Sequence, residues 1–501
     1  MLLSKILKNV DLYDTDIPRV NVEKITAKLE FVDKNTLFIL LKKEKNDIEK
    51  IIKSLTKSEP AAIVTEAELV LNETIPVIRV KNARKAYAMA TYNLFEIDKH
   101  STEFYAITGT NGKTSTATML YKIFKDARIK SGFIGTGKII IDGELVSDEF
   151  YSMTTPDPEE LYPTIKRMQD AGCRKIVMEV SSHSLYLYKT LPLRFKCSAF
   201  TNLSAEHLDF HKNIESYYKA KFSIFNQSEN GIFNMDDEYS KRAMLESCDN
   251  GNINVYSVGV KNSAEAMAKE VSYRGLNGSS YIYEDERNLF KTELSLCGEY
   301  NVSNSLIAIK CALISGIRPQ IIQESLSSLK SIDGRMELVI NEPTVIIDYA
   351  HTPLALQKVL FFIKKLKKEG QNIITVFGCG GERDTEKRPK MANISEKFSD
   401  YSIITSDNSR GESTEKIINE IIVGFSKKAK YKVIEDRKSA IKEAILKANE
   451  NDVVLIVGKG HERYYIDQNG YHRFDERAII FEAQSERLMF YENKNRKNAN
   501  T

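Results

Sequence analysis

A glycine-rich segment with the sequence AITGTNGKTSTATML, at residues 106–120, has the residue types of a phosphate-binding loop. Gly109 and Gly112 would let backbone N–H groups turn toward phosphate oxygens, and the positive end of a following helix would add to the attraction. Lys113 would reach the terminal phosphates, and the hydroxyl of Thr114 would hold Mg²⁺. The common spacing requires glycine at position 107, where isoleucine stands, so this loop is shorter than the usual form.

The histidines give a second chemical signal. Five of the seven follow short apolar runs and lie in polar clusters, namely His183, His207, His211, His351 and His461. The segment TNLSAEHLDFH at 201–211 places imidazoles and carboxylates beside a strand end, and Glu179 supplies a further carboxylate. Nitrogen and oxygen ligands of this kind can hold a divalent cation over a phosphoryl group that is transferred. A lone histidine is more often structural, and this is our interpretation of His100 and His472.

One lysine, Lys221, lies in the aromatic segment YYKAKFSIF at 217–225. By itself it is a lysine on an amphipathic helix, where a solvated position is the usual one. Its place shortly after the His207 segment is the single feature that connects it with the candidate site. The residue pattern alone therefore predicts no catalytic role for it.

Polar turns in the last third of the chain suit the binding of an amino acid. The turns follow apolar runs and read GCGGERDTEKRP (378–389), TSDNSRGES (405–413) and GKGHE (458–462). A guanidinium such as that of Arg410 can bind a carboxylate, whereas groups such as Asp407 and Asn408 can bind an ammonium group. The residues alone fit a set of turns with exposed charges equally well.

Short apolar runs that end in polar or glycine residues must position these groups. These runs are KIVMEV and CSAFTNL in the middle of the chain, and TVIIDYA, NIITVFG, YSIITSD and DVVLIVG in the last third. Helical segments alternate with the runs, which predicts parallel α/β sheets whose ligands bind at the carboxyl edge of the strands. We divide the chain into blocks 1–100, 101–331 and 332–501, the last with a short polar tail.

The composition excludes several classes of protein. The 501 residues are too many for one hydrophobic core, so about three domains are expected. The net charge of +3, from 72 basic and 69 acidic residues, gives no reason to expect nucleic acid or an anionic membrane as a partner. No apolar run approaches the ~18 residues of a membrane span, and the first residues do not predict a signal peptide. Six scattered cysteines without a CxxC pair fit a reducing compartment, so we expect a cytoplasmic monomer that binds small molecules.

Taken in order, these motifs resemble those of the Mur ligases, which build the peptide of bacterial cell-wall precursors. The similar segments begin at residue 101 and are GTNGKTS, TTPDP, MEVSSHSL, TNLSAEHLDFH, YYKAKFSIF, GEYNVSNSLIA, DGRMEL, DYAHTP, GCGGERD, TSDNSR and GKGHE. The TTPDP, GCGGERD, DNSR and GKGHE segments look most like the branch that adds the third amino acid to UDP-N-acetylmuramoyl-L-alanyl-D-glutamate.

The resemblance implies a three-domain α/β fold. A smaller N-terminal domain, 1–100, would bind the UDP substrate. A central domain with a P-loop-type parallel sheet, 101–331, would bind ATP. A Rossmann-like C-terminal domain, 332–501, would bind the amino acid.

It also implies an ADP-forming ligase of peptidoglycan synthesis, with ATP and Mg²⁺ as cofactors. The γ-phosphoryl group of ATP would pass to the D-glutamate γ-carboxylate, and Lys113, the loop amides and Mg²⁺ would neutralise the charge. The incoming amine would then attack the acyl phosphate, so that amide, ADP and phosphate result. Small molecules are the only partners that this reaction needs.

The resemblance assigns roles to individual residues. For ATP it implies Gly109, Thr110, Asn111, Gly112, Lys113, Thr114, Ser115, Asn301, Arg335 and Asp348. For the UDP-sugar peptide it implies Thr154, Thr155, Ser181 and Lys189. For the incoming amino acid it implies Arg383, Asp407, Asn408, Ser409, Arg410, Gly458 and Glu462. For magnesium it implies Thr114, Glu179, His207 and Lys221, the last as an N6-carboxylysine (a carbamate), and Lys113, Lys221 and His207 would be catalytic.

Departures from the family pattern bear on the substrates. Lys28, Leu29 and Glu30 stand where the family usually has an Asp-Ser-Arg turn near the uridine, and Lys189 replaces an arginine. Arg410 matches the residue that would grip a second carboxylate on the incoming amino acid, which lysine lacks. We therefore expect meso-diaminopimelate or a close analogue such as lanthionine, with L-lysine as the alternative. A folylpolyglutamate-synthase-like ligase is a rival interpretation, and the loop alone would also fit a P-loop kinase or regulatory NTPase.

Overall fold

The computed structural model describes residues 1–13, 16–41, 45–69, 75–147 and 154–499. Within these residues the strands form three large sheets and one small hairpin. The predicted α/β class is confirmed, since helices alternate with the strands of each large sheet. Among the helices of this part of the chain, none combines the length and the apolar character that crossing a bilayer requires.

The first sheet contains four parallel strands in the order β1-β2-β3-β4. Its strands are β1 (Lys24–Thr26), β2 (Thr36–Leu40), β3 (Ala62–Thr65) and β4 (Val77–Arg79). Its helices are α1 (Leu3–Ile6), α2 (Lys45–Ser58) and α3 (Ala83–Leu94). The helix α3 begins where the Asn82 side chain accepts a hydrogen bond from the Lys85 N–H, and its apolar face packs against the sheet.

The second sheet has eleven strands in the order β15-β14-β13-β12-β11-β10-β5-β9-β6-β7-β8. Its strands are β5 (Glu103–Thr108), β6 (Ser131–Gly135), β7 (Lys138–Ile141), β8 (Glu144–Ser147), β9 (Lys175–Glu179), β10 (Phe195–Phe200), β11 (Asn230–Asn234), β12 (Asn254–Gly259), β13 (Ala266–Tyr273), β14 (Ser279–Glu284) and β15 (Leu289–Leu294). Its helices are α4 (Lys113–Asp126), α5 (Pro158–Asp170), α6 (Ser182–Tyr186), α7 (Leu208–His211), α8 (Ile214–Phe222), α9 (Glu238–Asn250), α10 (Tyr300–Ile314) and α11 (Pro319–Ser328).

The centre of this sheet is parallel and covered on both faces. Along β5, Tyr105 and Ile107 belong to one hydrophobic cluster, whereas Phe104 and Ala106 belong to another, as the alternation of a strand requires. The flanking strands β7, β8, β14 and β15 pair antiparallel. Their connections are short turns, which allow only antiparallel pairing.

The third sheet has six strands in the order β16-β17-β21-β18-β19-β20. Its strands are β16 (Glu337–Ile340), β17 (Thr344–Asp348), β18 (Ile373–Phe377), β19 (Tyr401–Ile404), β20 (Tyr431–Val433) and β21 (Val453–Val457). Its helices are α12 (Pro353–Leu366), α13 (Lys387–Phe398), α14 (Thr414–Ile422), α15 (Arg437–Lys447) and α16 (Glu476–Ala499), which carries most of the polar tail. The hairpin consists of β22 (Tyr464–Asp467) and β23 (Gly470–Arg473).

The strand ends of this sheet gather the polar turns. Strands β17, β21, β18 and β19 are mutually parallel, so their carboxyl ends meet at one edge. The turns that begin after Asp348, Phe377, Ile404 and Val457 are therefore neighbours. The domain boundaries at residues 100 and 331 fall between the three sheets and stay a prediction.

Candidate active site

The phosphate loop joins β5 to α4 at the centre of the second sheet. Its glycines have positive φ angles, +143° at Gly109 and +86° at Gly112. A Cβ on Gly109 would lie 1.9 Å from Thr201 Oγ1, and one on Gly112 would lie 2.4 Å from Asn304 Oδ1. The N–H groups in the first turn of α4 have no helical acceptors. The short loop therefore has a backbone that can face an anion and tolerates only glycine at both positions.

Two lysines converge on one carbonyl of this loop. Lys113 Nζ donates to the carbonyl oxygens of Gly109 and Thr110, at 2.9 Å each, and Lys221 Nζ donates to that of Gly109 at 2.8 Å. Burial lowers the pKa of Lys221 well below its ordinary value, and the neighbouring Lys113 lowers it further. Lys221 is 1% exposed, so the expectation of a solvated lysine is wrong. An amine in this setting is readily deprotonated.

A buried carboxylate, Glu179, lies beside the loop at the end of β9. Its Oε2 accepts hydrogen bonds from the hydroxyls of Thr114, at 2.9 Å, and Thr136, at 3.2 Å. The Thr136 N–H donates to its Oε1 at 3.1 Å, and the Thr136 hydroxyl also reaches that of Thr154 at 3.0 Å. Sequence reasoning missed Thr136, because the turn after β6 carries no motif. Glu179 and Thr114 are thus adjacent.

His207 lies at an exposed position immediately before α7. Its φ is +56°, and its ring centroid is 5.0 Å from that of His183. In the described part of the chain, no three His, Cys, Asp or Glu side chains are grouped closely enough to hold a metal ion. The donor set nevertheless fits Mg²⁺, which binds one or two carboxylates and completes its shell with water and substrate phosphates. Glu179 and the Thr114 hydroxyl offer hard oxygens of that kind.

The other histidines at strand ends are mostly enclosed. His211 is buried with its Nε2 3.0 Å from Ser182 Oγ. His351 and His461 have ring centroids 4.7 and 4.9 Å from that of Tyr349. Burial lowers the pKa of both, to about 3 for His461. These two imidazoles are therefore neutral near pH 7.

The residues expected around the nucleotide come from two sheets. Arg335 stacks its guanidinium 4.5 Å from the Tyr349 ring centroid and donates to Thr114 Oγ1 at 3.2 Å. The Asp348 carboxylate accepts from the backbone N–H groups of Met336 and Ala350, while burial raises its pKa. Arg335 thus connects the start of the third sheet with the phosphate loop.

A second group of expected residues surrounds Thr155. Its hydroxyl donates to the carbonyl of Glu179 at 3.0 Å and accepts from the Ser181 N–H at 3.2 Å. Lys189 is buried, 2.8 Å from the Asp157 carboxylate, and its Nζ donates to the Thr155 carbonyl at 3.4 Å. The structure therefore brings Thr155, Ser181 and Lys189 together beside Glu179.

The residues expected to bind the incoming amino acid lie in the turns after β19 and β21. Asn408 Nδ2 donates to Glu462 Oε2 at 2.9 Å, and Asn408 Oδ1 accepts from Lys459 Nζ at 2.9 Å. A Cβ on Gly458, whose φ is +114°, would lie 2.6 Å from Asp407 Oδ2. Sequence reasoning missed Lys459, although it lies within the GKGHE segment. Asp407, Asn408 and Glu462 thus form one polar cluster.

The arginines of the pocket differ in accessibility. Arg410 Nη1 donates to the carbonyls of Gly381, at 2.9 Å, and Asn408, at 3.2 Å. Arg383 is exposed and lies near Gly380. Ser409 is buried, and its carbonyl lies where a Cβ on Gly381 would be. Both of these contacts of Arg410 are with neutral carbonyls, which a carboxylate ligand could replace.

One basic residue of the GCGGERDTEKRP segment is structural. Arg388 is completely buried and forms ion pairs with Glu412 at 3.0 Å and Glu420 at 2.6 Å. Its guanidinium also donates to the Gly380 carbonyl at 3.2 Å. This buried arginine fixes the glycine turn rather than binding a ligand.

Family models match the second and third sheets. Residues 107–312 match the Mur ligase middle domain, and residues 334–460 match the Mur ligase, glutamate ligase domain. The chain is 39% identical to UDP-N-acetylmuramoyl-L-alanyl-D-glutamate--2,6-diaminopimelate ligase of Clostridioides difficile, over 97% of this chain and all of that one. The chain belongs to the Mur ligase family.

Further relatives of this Mur ligase have the same name as the Clostridioides difficile enzyme. The enzyme of Aquifex aeolicus is 37% identical over 92% of this chain and 93% of its own. A solved structure of a UDP-N-acetylmuramoyl-L-alanyl-D-glutamate--2,6-diaminopimelate ligase superimposes with a TM-score of 0.69 at 26% identity, and it covers 97% of this chain and all of the other. The middle-domain match includes the phosphate loop, Glu179 and Lys221, and the glutamate-ligase match includes Arg335 and Arg410.

Proposed function

We propose that this Mur ligase joins meso-diaminopimelate to UDP-N-acetylmuramoyl-L-alanyl-D-glutamate, with conversion of ATP to ADP and phosphate. The product is the tripeptide precursor of peptidoglycan, made in the cytoplasm. The observation that carries the proposal is the pocket in which Arg410 lies beside Asp407, Asn408 and Glu462. A guanidinium binds the distal carboxylate of diaminopimelate, and the carboxylates bind its distal ammonium. The names of the relatives support the same substrate.

The first chemical step activates the D-glutamate γ-carboxylate. One of its oxygens attacks the γ-phosphorus of ATP, the bond to the β-phosphate oxygen breaks, and an acyl phosphate and ADP form. Lys113 leaves the carbonyls of Gly109 and Thr110 to meet the phosphates, and the N–H groups of the loop bind them. When Mg²⁺ is bound, it neutralises phosphate charge. Thr114 and Glu179 would hold it.

The second step forms the amide. The amine of the incoming amino acid attacks the acyl carbon, the bond to the phosphate oxygen breaks, and the nitrogen loses a proton. The pocket around Asp407, Asn408, Arg410 and Glu462 holds the far end of the amino acid, so that its reacting amine faces the acyl phosphate. Arg383, exposed at the rim, is available for a further carboxylate of the substrate.

Lys221 acts as a carbamate. Its lowered pKa supplies a neutral amine, which adds to carbon dioxide with loss of a proton. The product is an anion beside Lys113 and the phosphate loop, where it would hold a second Mg²⁺, with His207 as a further ligand of the metal. An uncarbamylated lysine would instead place a second amine on the Gly109 carbonyl.

The UDP-sugar peptide extends from the first block to the second. Residues 1–100 hold the uridine end, residues 101–331 the ATP, and residues 332–501 the amino acid. Thr154, Thr155, Ser181 and Lys189 bind the sugar-peptide portion next to Glu179. Their contacts beside Glu179 support a γ-carboxylate close to the phosphate loop.

Purified protein assayed for ADP release against a panel of amino acids tests the function. We expect turnover with UDP-N-acetylmuramoyl-L-alanyl-D-glutamate and meso-diaminopimelate, weaker turnover with lanthionine, and least with L-lysine. Equal rates with lysine would contradict the substrate assignment. Turnover with ATP alone would contradict the ligase, and turnover with a folate and glutamate would indicate the folylpolyglutamate-synthase-like alternative.

The variant Arg410→Ala tests the pocket directly. Removing one partner of a charged pair in a binding site costs about 2–5 kcal/mol, so kcat/KM for diaminopimelate should fall roughly 30-fold or more. The KM for ATP, which binds on the second sheet, serves as the internal control and should change little. An equal loss with diaminopimelate and lysine would show that Arg410 does not read the second carboxylate.

A further inference from the structure

Lys459 is a cation enclosed within the amino-acid pocket. Its side chain is 0% exposed. Its Nζ lies 2.9 Å from Asn408 Oδ1, 3.5 Å from Glu462 Oε2 and 3.7 Å from Asp407 Oδ1. A buried ammonium is costly unless acceptors compensate it. Here an amide oxygen makes the close contact, and the two carboxylates share the remaining charge.

Lys459 does not use up the negative charge of the two carboxylates. Neither makes a short ion pair with Lys459, since both separations exceed the usual length of a charge-assisted hydrogen bond. Glu462 Oε2 accepts from Asn408 Nδ2, and Asp407 Oδ1 accepts from the Asn408 N–H. Glu462 Oε1 can therefore meet an ammonium group of a substrate, and Asp407, whose Oδ2 lies against Gly458, adds its negative charge from behind.

The charges of Arg437 and Glu476, which lie farther from the pocket, cancel each other. Arg437 lies behind Asp407 and is paired with Glu476 at 2.7 Å, and both side chains are buried. Burial would raise the pKa of Asp407, but Lys459 and Arg437 hold it below its ordinary value. Two carboxylates and one ammonium thus leave this part of the pocket with a net charge of about −1, next to the guanidinium of Arg410.

We infer that Lys459 is a specificity-determining residue, which neutralises one carboxylate so that the pocket matches a distal zwitterion rather than a distal cation. The inference rests on the proposed function. With Lys459 in place, Arg410 and the single net negative charge match the carboxylate and ammonium of diaminopimelate. Without Lys459, two uncompensated carboxylates would attract the more positive amino acid, L-lysine, relative to diaminopimelate.

The variant Lys459→Met removes the charge and keeps the length of the side chain. The measurement is the ratio of kcat/KM for meso-diaminopimelate to kcat/KM for L-lysine, at about pH 8.5, where carboxyl groups ordinarily stay ionised. We expect this ratio to fall at least about tenfold, while Lys459→Arg, which keeps the charge, retains most of it. The ratio does not depend on the fraction of active protein, so a partly misfolded variant still reports it.

The matched control is Lys310→Met. Lys310 is a buried lysine on α10, outside the site, paired with Glu265 at 2.6 Å and Asp285 at 3.3 Å. Its loss should leave the substrate ratio unchanged, whatever it does to stability. If Lys459→Met lowers both rates by the same factor, or if Lys459→Arg changes the ratio as much as Lys459→Met, the inference is overturned.

Two results keep the inference separate from the proposed function. If the unmodified enzyme does not use diaminopimelate, the function fails before Lys459 is tested. If Lys459→Met has no measurable turnover, calorimetric affinities for the two amino acids supply the same ratio. An unchanged affinity ratio overturns the inference, and a shift toward lysine supports it.

Discussion

At the scale of single residues, the position of Lys221 decides its chemistry. Its helix, α8, begins where the Asn213 side chain accepts a hydrogen bond from the Ser216 N–H, and this start directs Lys221 inward. Its Nζ lies 4.7 Å from the Tyr217 ring centroid, and the Tyr217 hydroxyl is 3.1 Å from that of Thr110. One helix turn thus positions both the lysine and the loop that it contacts.

Lys221→Ala should abolish most of the activity. Loss of a residue that orients a metal ion or balances its charge lowers activity on the order of 10²-fold. The proposed carbamate has that role. The rate of ADP release with all substrates present is the measurement. Addition of a small carboxylate such as acetate should restore part of the rate, because it replaces the lost anion.

Lys219→Ala is the matched control for this prediction. Lys219 lies on the same helix with its side chain 72% exposed, near Glu215. Its removal should leave the rate unchanged. Equal losses in the two variants, or a full rate in Lys221→Ala, would exclude the carbamate.

At the scale of elements, the sequence predicted the positions of the strands better than the contacts made by side chains in the loops and helices that follow them. The runs at KIVMEV and DVVLIVG are strands β9 and β21, because unbroken β-branched runs with polar ends suit buried parallel strands. The burial of Lys221 and Lys459 could not be predicted, since it depends on which loops meet at a sheet edge. The Thr136 contact with Glu179 had no sequence signal for the same reason.

His461 should contribute to acid sensitivity. Its pKa is lowered to about 3 by burial, whereas an unfolded histidine titrates near 6.5, so between these values only the unfolded chain binds the proton. Stability should therefore fall as pH decreases through this window and be unaffected by His461 above it. The variant His461→Phe keeps a ring against Tyr349 and removes the titration.

Thermal unfolding midpoints at a series of pH values measure this effect. The decrease from about pH 6.5 toward pH 4 should be smaller in His461→Phe than in the unmodified protein. The variant His100→Phe, at an exposed site, should keep the original slope. Parallel curves for all three proteins would contradict a neutral buried imidazole at position 461.

At the scale of the whole molecule, a few polar contacts join the sheets. Glu159, in the first turn of α5, lies 2.7 Å from Lys28 Nζ and 2.5 Å from Thr26 Oγ1, both from the first block. These two contacts join the first block to the second. Arg335 makes the corresponding link between the third sheet and the phosphate loop.

Glu159→Gln should weaken the binding of the UDP substrate more than it lowers the stability of the fold. A partly exposed ion pair contributes about 0–1 kcal/mol, so the unfolding midpoint should change little and the KM for the UDP substrate should rise roughly two- to fivefold. The physical reason is that, under the proposed function, the uridine end and the reacting carboxylate of the substrate would lie on different blocks. The KM for ATP should stay constant.

Glu160→Gln is the control, because the neighbouring Glu160 lies 3.5 Å from Lys28 and makes the weaker contact. It should leave the KM for the UDP substrate nearly unchanged. If both variants behave alike, or if the KM for ATP rises as well, Glu159 does not act through the position of the first block.

The shared carbonyl of Gly109 has a practical consequence. Lys113 and Lys221 both have lowered pKa values because they are buried, so their amines are unprotonated where exposed lysines still carry a proton. A small aldehyde or activated ester should react first with Lys113, which is less deeply buried than Lys221, and ATP should protect Lys113 by binding to the loop. The number of amines per chain that ATP protects would then count the molecules in a preparation that have an intact loop, which gives an active-site titration without turnover.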